Sequence, residues 1–327
     1  MKNLIAAFPD NLLEALEIAK TLRLNNPKRD FRNIVICGMG GSGIGGKIVS
    51  QWLQEELTIP VVLCQDYHLP HFVSKESLVI ASSYSGNTEE TLLSVEKASK
   101  VGATIFGITS GGKLQQFCLD NKYDHIVVPG GNPPRTALAF SLVQLVNYFV
   151  QLSMASSTRL LELKKAQEML VSNKEEILKE AKRLAELIGE RTPVFYAVSR
   201  YEGVAVRAKQ QFNENAKVLC WMHTIPEMNH NELVGWGGGD NRFAAVFLDS
   251  SDSIERNERR IEISLDKVKS KTDKVGVFKA KGGSIIEKSL YLINLVDWAS
   301  LLHSEIYSVD AMEIDIIDYL KAELGKI

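Results

Sequence analysis

Residues 33–50 read NIVICGMGGSGIGGKIVS, an apolar run that leads into a segment with six glycines. The apolar, β-branched run Asn33–Cys37 predicts a buried strand, and the glycines that follow predict a tight turn into a helix. A helix that begins after such a turn offers unpaired N–H groups and the positive end of its dipole to an anion. The stretch therefore predicts a strand, an anion-binding loop and a helix, which is the repeating unit of a parallel α/β sheet.

The same alternation continues on both sides of this stretch. A first amphipathic helix is predicted at about Leu12–Leu24, helices dominate residues 135–188, and a closing pair is predicted at Ser284–His303 and Asp310–Leu324. Further strands are predicted at Val61–Cys64, Leu78–Ser82, Thr104–Ile108, His125–Val128, Pro193–Val198, Lys217–Trp221, Arg242–Leu248 and Lys274–Phe278. Strands that alternate with helices form parallel sheets covered on both faces, so we expect two doubly wound α/β (αβα sandwich) domains.

The chain has 327 residues, which suits two domains better than one. The charged segment 161–190 looks like an exposed connecting helix or helix pair. We therefore predict an N-terminal domain over 1–153 with the phosphate-binding loops, a connecting segment over 154–190 and a C-terminal domain over 191–327.

Composition narrows the class of function. The formal net charge is only −2 and basic residues are scattered, which argues against nucleic-acid and membrane partners. The four cysteines form no CxxC pair and are expected to be reduced core residues, and no metal-binding motif appears. The N-terminal segment resembles no signal peptide. We expect a cytoplasmic protein with neither metal nor cofactor.

A second loop carries more information than the first. Residues 81–91 read ASSYSGNTEET, which places Ser83, Ser85 and Thr88 between an apolar strand and an amphipathic helix. Hydroxyl groups donate hydrogen bonds to phosphate oxygens without adding bulk, so these residues, with Gly41 and Ser42 of the first loop, are the predicted phosphate-binding set. Taken alone, either loop also fits a purely structural turn or helix cap.

The first loop also fits a dinucleotide site. Gly38, Gly40 and Gly43 match G-x-G-x-x-G, and Asp66 lies where a ribose-binding acid could follow the second strand. A nicotinamide-dependent dehydrogenase would leave the hydroxyl-rich second loop unexplained. The pair of loops therefore favours a single phosphate monoester.

Together, GMGGSGIGG and SSYSGNTEET resemble the sugar isomerase (SIS) domain, whose members hold the phosphate of a phosphosugar. Two such domains in one chain, with PGGNPPRTALAFSL (129–142), FNENAKV (212–218) and PEMNHNELVGW (226–236), resemble the bifunctional phosphoglucose/phosphomannose isomerase family. The resemblance implies an aldose–ketose isomerase of carbohydrate metabolism that interconverts glucose 6-phosphate, and mannose 6-phosphate, with fructose 6-phosphate through a cis-enediolate.

The resemblance also implies four catalytic residues. Glu214 matches the family's base, and His230 matches its ring-opening histidine, which is supplied across a homodimer interface. Arg135 would stabilise negative charge, and Lys321 resembles a C-terminal lysine that helps ring opening. From the residues alone, each also fits a structural or solvated role, and Glu214 with Lys217 fits a surface pair at i,i+3.

One departure from the family concerns the mannose epimer. Relatives carry a Thr-Pro pair a few residues before the C-terminal lysine, where this chain has Ile314 and Asp315. A small residue there is thought to let the C2–C3 bond rotate, so Ile314 places the phosphomannose activity in question. Two other readings stay open: a phosphosugar-binding regulator without chemistry, and an isomerase of a different phosphosugar.

Overall fold

Two parallel sheets organise the chain in a computed structural model that describes residues 1–25 and 30–326. Each sheet belongs to a separate compact unit. The N-terminal unit comprises Ala6–Ser172 and Lys281–Leu290, and the C-terminal unit comprises Met1–Ile5, Asn173–Ala280 and Tyr291–Ile327. The sequence-based prediction of two doubly wound parallel sheets is confirmed.

The sheet of the N-terminal unit has five parallel strands in the order β2-β1-β3-β4-β5. They are β1 Asn33–Cys37, β2 Val61–Cys64, β3 Ser77–Ser82, β4 Thr104–Thr109 and β5 Asp124–Val127. Strand order reverses between β1 and β3, because the chain first adds β2 on one side of β1 and then continues on the other. Ligands of such sheets bind beyond the carboxyl ends of the strands at this switch point.

The sheet of the C-terminal unit has four parallel strands in the order β7-β6-β8-β9. They are β6 Thr192–Val198, β7 Trp221–Ile225, β8 Phe243–Asp249 and β9 Val275–Lys279. Helices connect the strands of both sheets. They are α1 Lys2–Ala6, α2 Phe8–Ala19, α3 Gly40–Trp52, α4 Glu89–Lys100, α5 Gly112–Asp120, α6 Leu138–Gln151, α7 Thr158–Ser172, α8 Lys174–Ile188, α9 Glu202–Ala216, α10 Glu232–Gly235, α11 Glu255–Lys269, α12 Ile285–Ile306 and α13 Asp315–Leu324.

Helix α2 packs against helix α6 inside the N-terminal unit. Almost every side chain of α6 is buried. Two of its polar side chains bond to the backbone of α2: Gln144 Nε2 donates to Ala15 O over 2.8 Å, and Asn147 Nδ2 donates to Ala19 O over 3.1 Å. These bonds give the buried amide N–H groups of α6 an acceptor, so α2 is part of the core of this unit.

Three predicted elements start four or more residues away from their observed starts, and most of the others differ at their ends by one to three residues. The first helix runs over Phe8–Ala19 instead of Leu12–Leu24, and Pro9 lies in its first turn, where a missing N–H costs nothing. The strand predicted at Lys217–Trp221 starts only at Trp221, because Lys217 adopts a left-handed conformation that ends α9. The last helix begins at Asp315 rather than at Asp310.

His303 on α12 is buried, and its ring should make stability depend on pH. Its Nε2 donates to Gly189 O over 2.8 Å, while Nδ1 is buried and has no hydrogen-bond partner within the described residues. Burial lowers the pKa of His303, against a smaller opposing effect of the bond to Gly189. The folded protein therefore resists protonation that the unfolded chain accepts near its ordinary pKa of about 6.5.

We expect the contribution of His303 to the free energy of unfolding to be constant above about pH 6.5 and to fall as the pH drops below that value. The slope contributed by this residue approaches about 1.4 kcal/mol per pH unit at most. Urea unfolding at pH 7.5, 6.5 and 5.5 should show a flatter dependence in a His303→Gln variant. If the free energy of unfolding depends on pH equally in both proteins, His303 is not the cause of the dependence.

Within the part of the chain that is described, no helix combines the length and the apolar character needed to cross a membrane.

Candidate active site

The predicted phosphate-binding residues lie at the switch point of the N-terminal sheet. Gly41 and Ser42 are in the first turn of α3, directly after β1. Ser83, Ser85 and Thr88 follow β3 and precede α4, whose N-cap is Thr88. The two loops thus come from the two strands between which the order reverses, so the structure brings this predicted set to one edge of one sheet.

Hydrogen bonds fix the two loops to each other and within themselves. The backbone N–H of Tyr84 donates to Ser42 Oγ over 3.1 Å, which joins the β3 loop to the β1 loop. The hydroxyl groups of Ser83 and Thr88 lie 2.9 Å apart, and Asn87 N donates to Ser85 Oγ over 3.2 Å. These bonds hold the two loops in one conformation, in which Ser83 is buried and Ser85 is exposed.

Gly86 in the second loop cannot carry a side chain without rearrangement. Its φ is +69°, and a Cβ there would lie 1.8 Å from the carbonyl oxygen of Gly111. We expect a Gly86→Ala variant to raise KM for a sugar phosphate at least about tenfold, because about 1.4 kcal/mol of lost binding gives that factor and the loop must move to relieve the clash.

The matched control is Gly102→Ala. Gly102 has a similar φ of +75°, but a Cβ there meets nothing nearer than Lys75 Cβ at 3.8 Å. This variant should lose about 1–2 kcal/mol of stability and keep its KM. Equal KM values in the two variants would show that the second loop does not contact substrate.

Arg135 is buried, with 3% of its surface exposed, so the alternative of a solvated arginine is wrong. It lies in a short 3₁₀ turn, Pro134–Thr136, directly before α6. A Cβ on Gly41 would lie 3.2 Å from Arg135 N and from Pro134 O, so this turn packs against the first loop. A small cavity of about 10 Å³ lies among these segments, and Ser42, Ser82, Tyr84, Thr109, Pro134 and Ser141 are among its lining residues.

Glu214 lies near the end of α9 in the C-terminal unit, and it lines a different pocket. This pocket has a volume of about 330 Å³. Its other lining residues are Asn213, Lys217, Val218, Leu219, Glu313, Ile314, Ile316 and Ile317. A carboxylate in a mostly apolar pocket suits proton transfer to and from carbon. Glu214, the predicted base, and Ile314, the residue predicted to hinder the mannose epimer, therefore line the same pocket.

His230 is exposed at the end of the 3₁₀ turn Glu227–His230. The polar residues next to it in the sequence form hydrogen bonds with other parts of the C-terminal unit. Asn229 donates to Ser264 Oγ, Asn231 donates to Glu227, and Glu232 accepts from the Tyr196 hydroxyl. No described residue of the chain hydrogen-bonds to the imidazole of His230.

Lys321 is on the exposed C-terminal helix α13, with 69% of its side chain accessible and an ion pair of 3.8 Å to Asp318. It is not among the residues that line the pocket at Glu214. Within the described residues, no group of three or more His, Cys, Asp or Glu side chains could hold a metal ion.

A buried series of hydrogen bonds behind the His230 segment was not predicted from the sequence. Trp236 Nε1 donates to the Tyr196 hydroxyl over 2.8 Å, and this hydroxyl donates to the Glu232 carboxylate. Burial, and then the negative charge of Glu232, raises the pKa of Tyr196, so the phenol stays a donor. These hydrogen bonds join Glu232 and Trp236 to Tyr196 of strand β6. The polar run PEMNHNELVGW indicated that hydrogen bonds form here. It did not indicate their partner, because Tyr196 on β6 lies some thirty residues earlier in the sequence.

Two family profiles match the chain. The SIS domain profile matches residues 29–142, and the profile of the bacterial phospho-glucose isomerase C-terminal SIS domain matches residues 177–324. The first covers both hydroxyl-rich loops and Arg135, and the second covers Glu214, His230 and Lys321.

Curated relatives match over nearly their whole length. A bifunctional phosphoglucose/phosphomannose isomerase of Caldicellulosiruptor bescii is 35% identical over 98% of this chain and 97% of its own. One of Aquifex aeolicus is 36% identical over 97% and 96%. Among solved structures, the C-terminal domain of glucosamine-fructose-6-phosphate aminotransferase from Francisella tularensis has the same fold, with a TM-score of 0.79 at 16% identity over 94% of this chain and 96% of that one. The chain belongs to the bifunctional phosphoglucose/phosphomannose isomerase family.

Proposed function

We propose that this protein is an isomerase that interconverts glucose 6-phosphate and mannose 6-phosphate with fructose 6-phosphate by proton transfer, without a metal. The observation that carries the proposal is the meeting of two hydroxyl-rich loops at the switch point of the N-terminal sheet, beside the turn that holds the buried Arg135. In the C-terminal unit, Glu214 lines a separate pocket with mostly apolar lining residues. Full-length relatives named for both activities support it.

The phosphate is held by Gly41, Ser42, Ser83, Ser85 and Thr88. Backbone N–H groups at the start of α3 and hydroxyl groups of the second loop donate to its oxygens. Since these donors are uncharged, the dianion is recognised by directed hydrogen bonds.

The reaction moves one proton. Glu214 takes the proton from C2 of the open-chain aldose, the C1 carbonyl becomes an enediolate oxygen, and Arg135 stabilises the developing negative charge. The same carboxyl then delivers the proton to C1 while the O2 proton moves to O1, which leaves the ketose. His230, contributed by the partner subunit of a homodimer, and Lys321 exchange the protons of ring opening.

The mannose epimer places the opposite face of C2 toward the base, so the C2–C3 bond must rotate. Ile314 lines the same pocket as Glu214 and is the residue that limits this rotation. We therefore propose glucose 6-phosphate as the better substrate and mannose 6-phosphate as the slower one.

The test is turnover of glucose 6-phosphate and of mannose 6-phosphate to fructose 6-phosphate by the purified, EDTA-treated protein. Activity on both substrates supports the bifunctional reading, and activity on glucose 6-phosphate alone supports steric exclusion by Ile314. Binding with no turnover of either would replace the proposal with a phosphosugar-binding regulator or an isomerase of another phosphosugar.

A further inference from the structure

Lys217 ends the helix that carries Glu214, and its backbone conformation is unusual. The residue has a φ of +54°, in the left-handed region, and its N–H donates to Phe212 O. Glycine is the residue that normally takes this position at a helix C-terminus. A lysine there costs conformational energy, so its side chain is the feature to examine.

The ammonium group of Lys217 is surrounded by backbone carbonyls. Its Nζ donates to Glu214 O over 2.8 Å, to Asp310 O over 2.8 Å and to Glu313 O over 2.7 Å. An ammonium group has three N–H donors, so all three are used. The carboxylate of Glu313 lies 3.7 Å away and adds an ion pair.

These bonds join two segments that are about a hundred residues apart in sequence. One acceptor is at the end of α9, and the other two are in the segment 310–314 that leads into α13. Residues of the same two segments line the pocket at Glu214. Charge-assisted hydrogen bonds are the stronger kind, so the Lys217 ammonium holds the two segments together.

We infer that Lys217 is a positioning residue that holds the segment of Ile314 at a fixed distance from the Glu214 carboxylate. It does not touch the reacting atoms in this scheme. The catalytic part of the inference rests on the proposed function, whereas the structural part concerns the segment 310–324 alone.

A Lys217→Met variant keeps the aliphatic stem and removes the three donors. We expect kcat for glucose 6-phosphate to fall about ten- to a hundredfold, because a misplacement of about 1 Å costs a factor of this size. KM should change less than about threefold, since the phosphate is held by other loops. A Lys217→Gly variant, which relieves the left-handed backbone, should show the same loss of kcat and thereby separates the side chain from the backbone.

The structural readout is hydrogen–deuterium exchange. Peptides from 310–324 should exchange faster in Lys217→Met than in wild type, while strands β6 and β8 should not change. The matched control is Lys267→Met, an exposed lysine on α11 of the same unit, which should leave kcat and exchange unchanged.

Wild-type kcat in Lys217→Met, or exchange in 310–324 equal to that of the control, would overturn the inference. If the wild-type protein does not isomerise either sugar phosphate, the proposed function fails by itself. The exchange result then still decides whether Lys217 holds the segment.

Discussion

Replacing Glu214 with glutamine should lower kcat for glucose 6-phosphate by at least about a hundredfold while the sugar phosphate still binds. General acid–base catalysis contributes about 10²–10⁴ in rate, and glutamine keeps the shape of the side chain while losing the ability to accept a proton. The loss should be in kcat, because the proposed phosphate contacts come from the loops before α3 and α4, to which Glu214 on α9 does not belong. Calorimetric titration of the slow variant with glucose 6-phosphate measures the binding that remains.

Glu202→Gln is the matched control, since Glu202 is in the first turn of the same helix α9. It should retain wild-type kcat and KM. Turnover of Glu214→Gln within a few-fold of wild type would remove Glu214 from the role of base. A rise in KM with kcat unchanged would make it a binding residue instead.

The largest loss of stability is expected for Asp297→Ala. Arg207 on α9 and Asp297 on α12 form a bidentate pair at 3.0 and 2.9 Å, and both side chains are at most 5% exposed. Burial raises the pKa of Asp297, and Arg207 opposes that rise. Removing the carboxylate breaks this buried ion pair from one side only, which costs about 3–5 kcal/mol. Urea unfolding measures this loss.

Two comparisons isolate the cause. Glu262→Ala breaks an exposed ion pair with Arg259, 2.7 Å long and on the same unit, and should cost less than about 1 kcal/mol. The double variant Arg207→Met with Asp297→Leu removes both charges and should recover most of the stability, since apolar replacement of a buried pair is often neutral. A double variant as unstable as Asp297→Ala would show that packing, and not the broken ion pair, dominates.

The sequence predicted the N-terminal sheet well because each of its strands is a separate apolar run bounded by glycine or polar residues. β1 and β2 have the predicted bounds. The strand at β7 was misplaced because KVLCWMHTI, residues 217–225, is a nearly continuous apolar run. Such a run does not reveal where a strand starts. The left-handed Lys217 ends α9 at the beginning of this run, and no glycine marks that position in the sequence.

The site was predictable to the extent that it is local. The two hydroxyl-rich loops follow strands in the sequence, so their meeting at one sheet edge follows from parallel topology. Contacts between distant segments were not predictable in this way. The three carbonyls around Lys217 are not visible as a motif, because backbone atoms carry no residue signature and two of the acceptors are over 90 residues away. Those bonds accompany the late start of α13 at Asp315.

The central claim is that Glu214 moves a proton between C2 and C1. The most direct measurement is isomerisation of glucose 6-phosphate in D₂O, followed by NMR of the fructose 6-phosphate formed. We predict that the new C1 hydrogen of the product comes from C2 of the substrate, and from the solvent to the extent that the proton on Glu214 exchanges before its delivery, and that Glu214→Gln forms product at least about a hundredfold more slowly. Product formed at the wild-type rate by Glu214→Gln would contradict the claim.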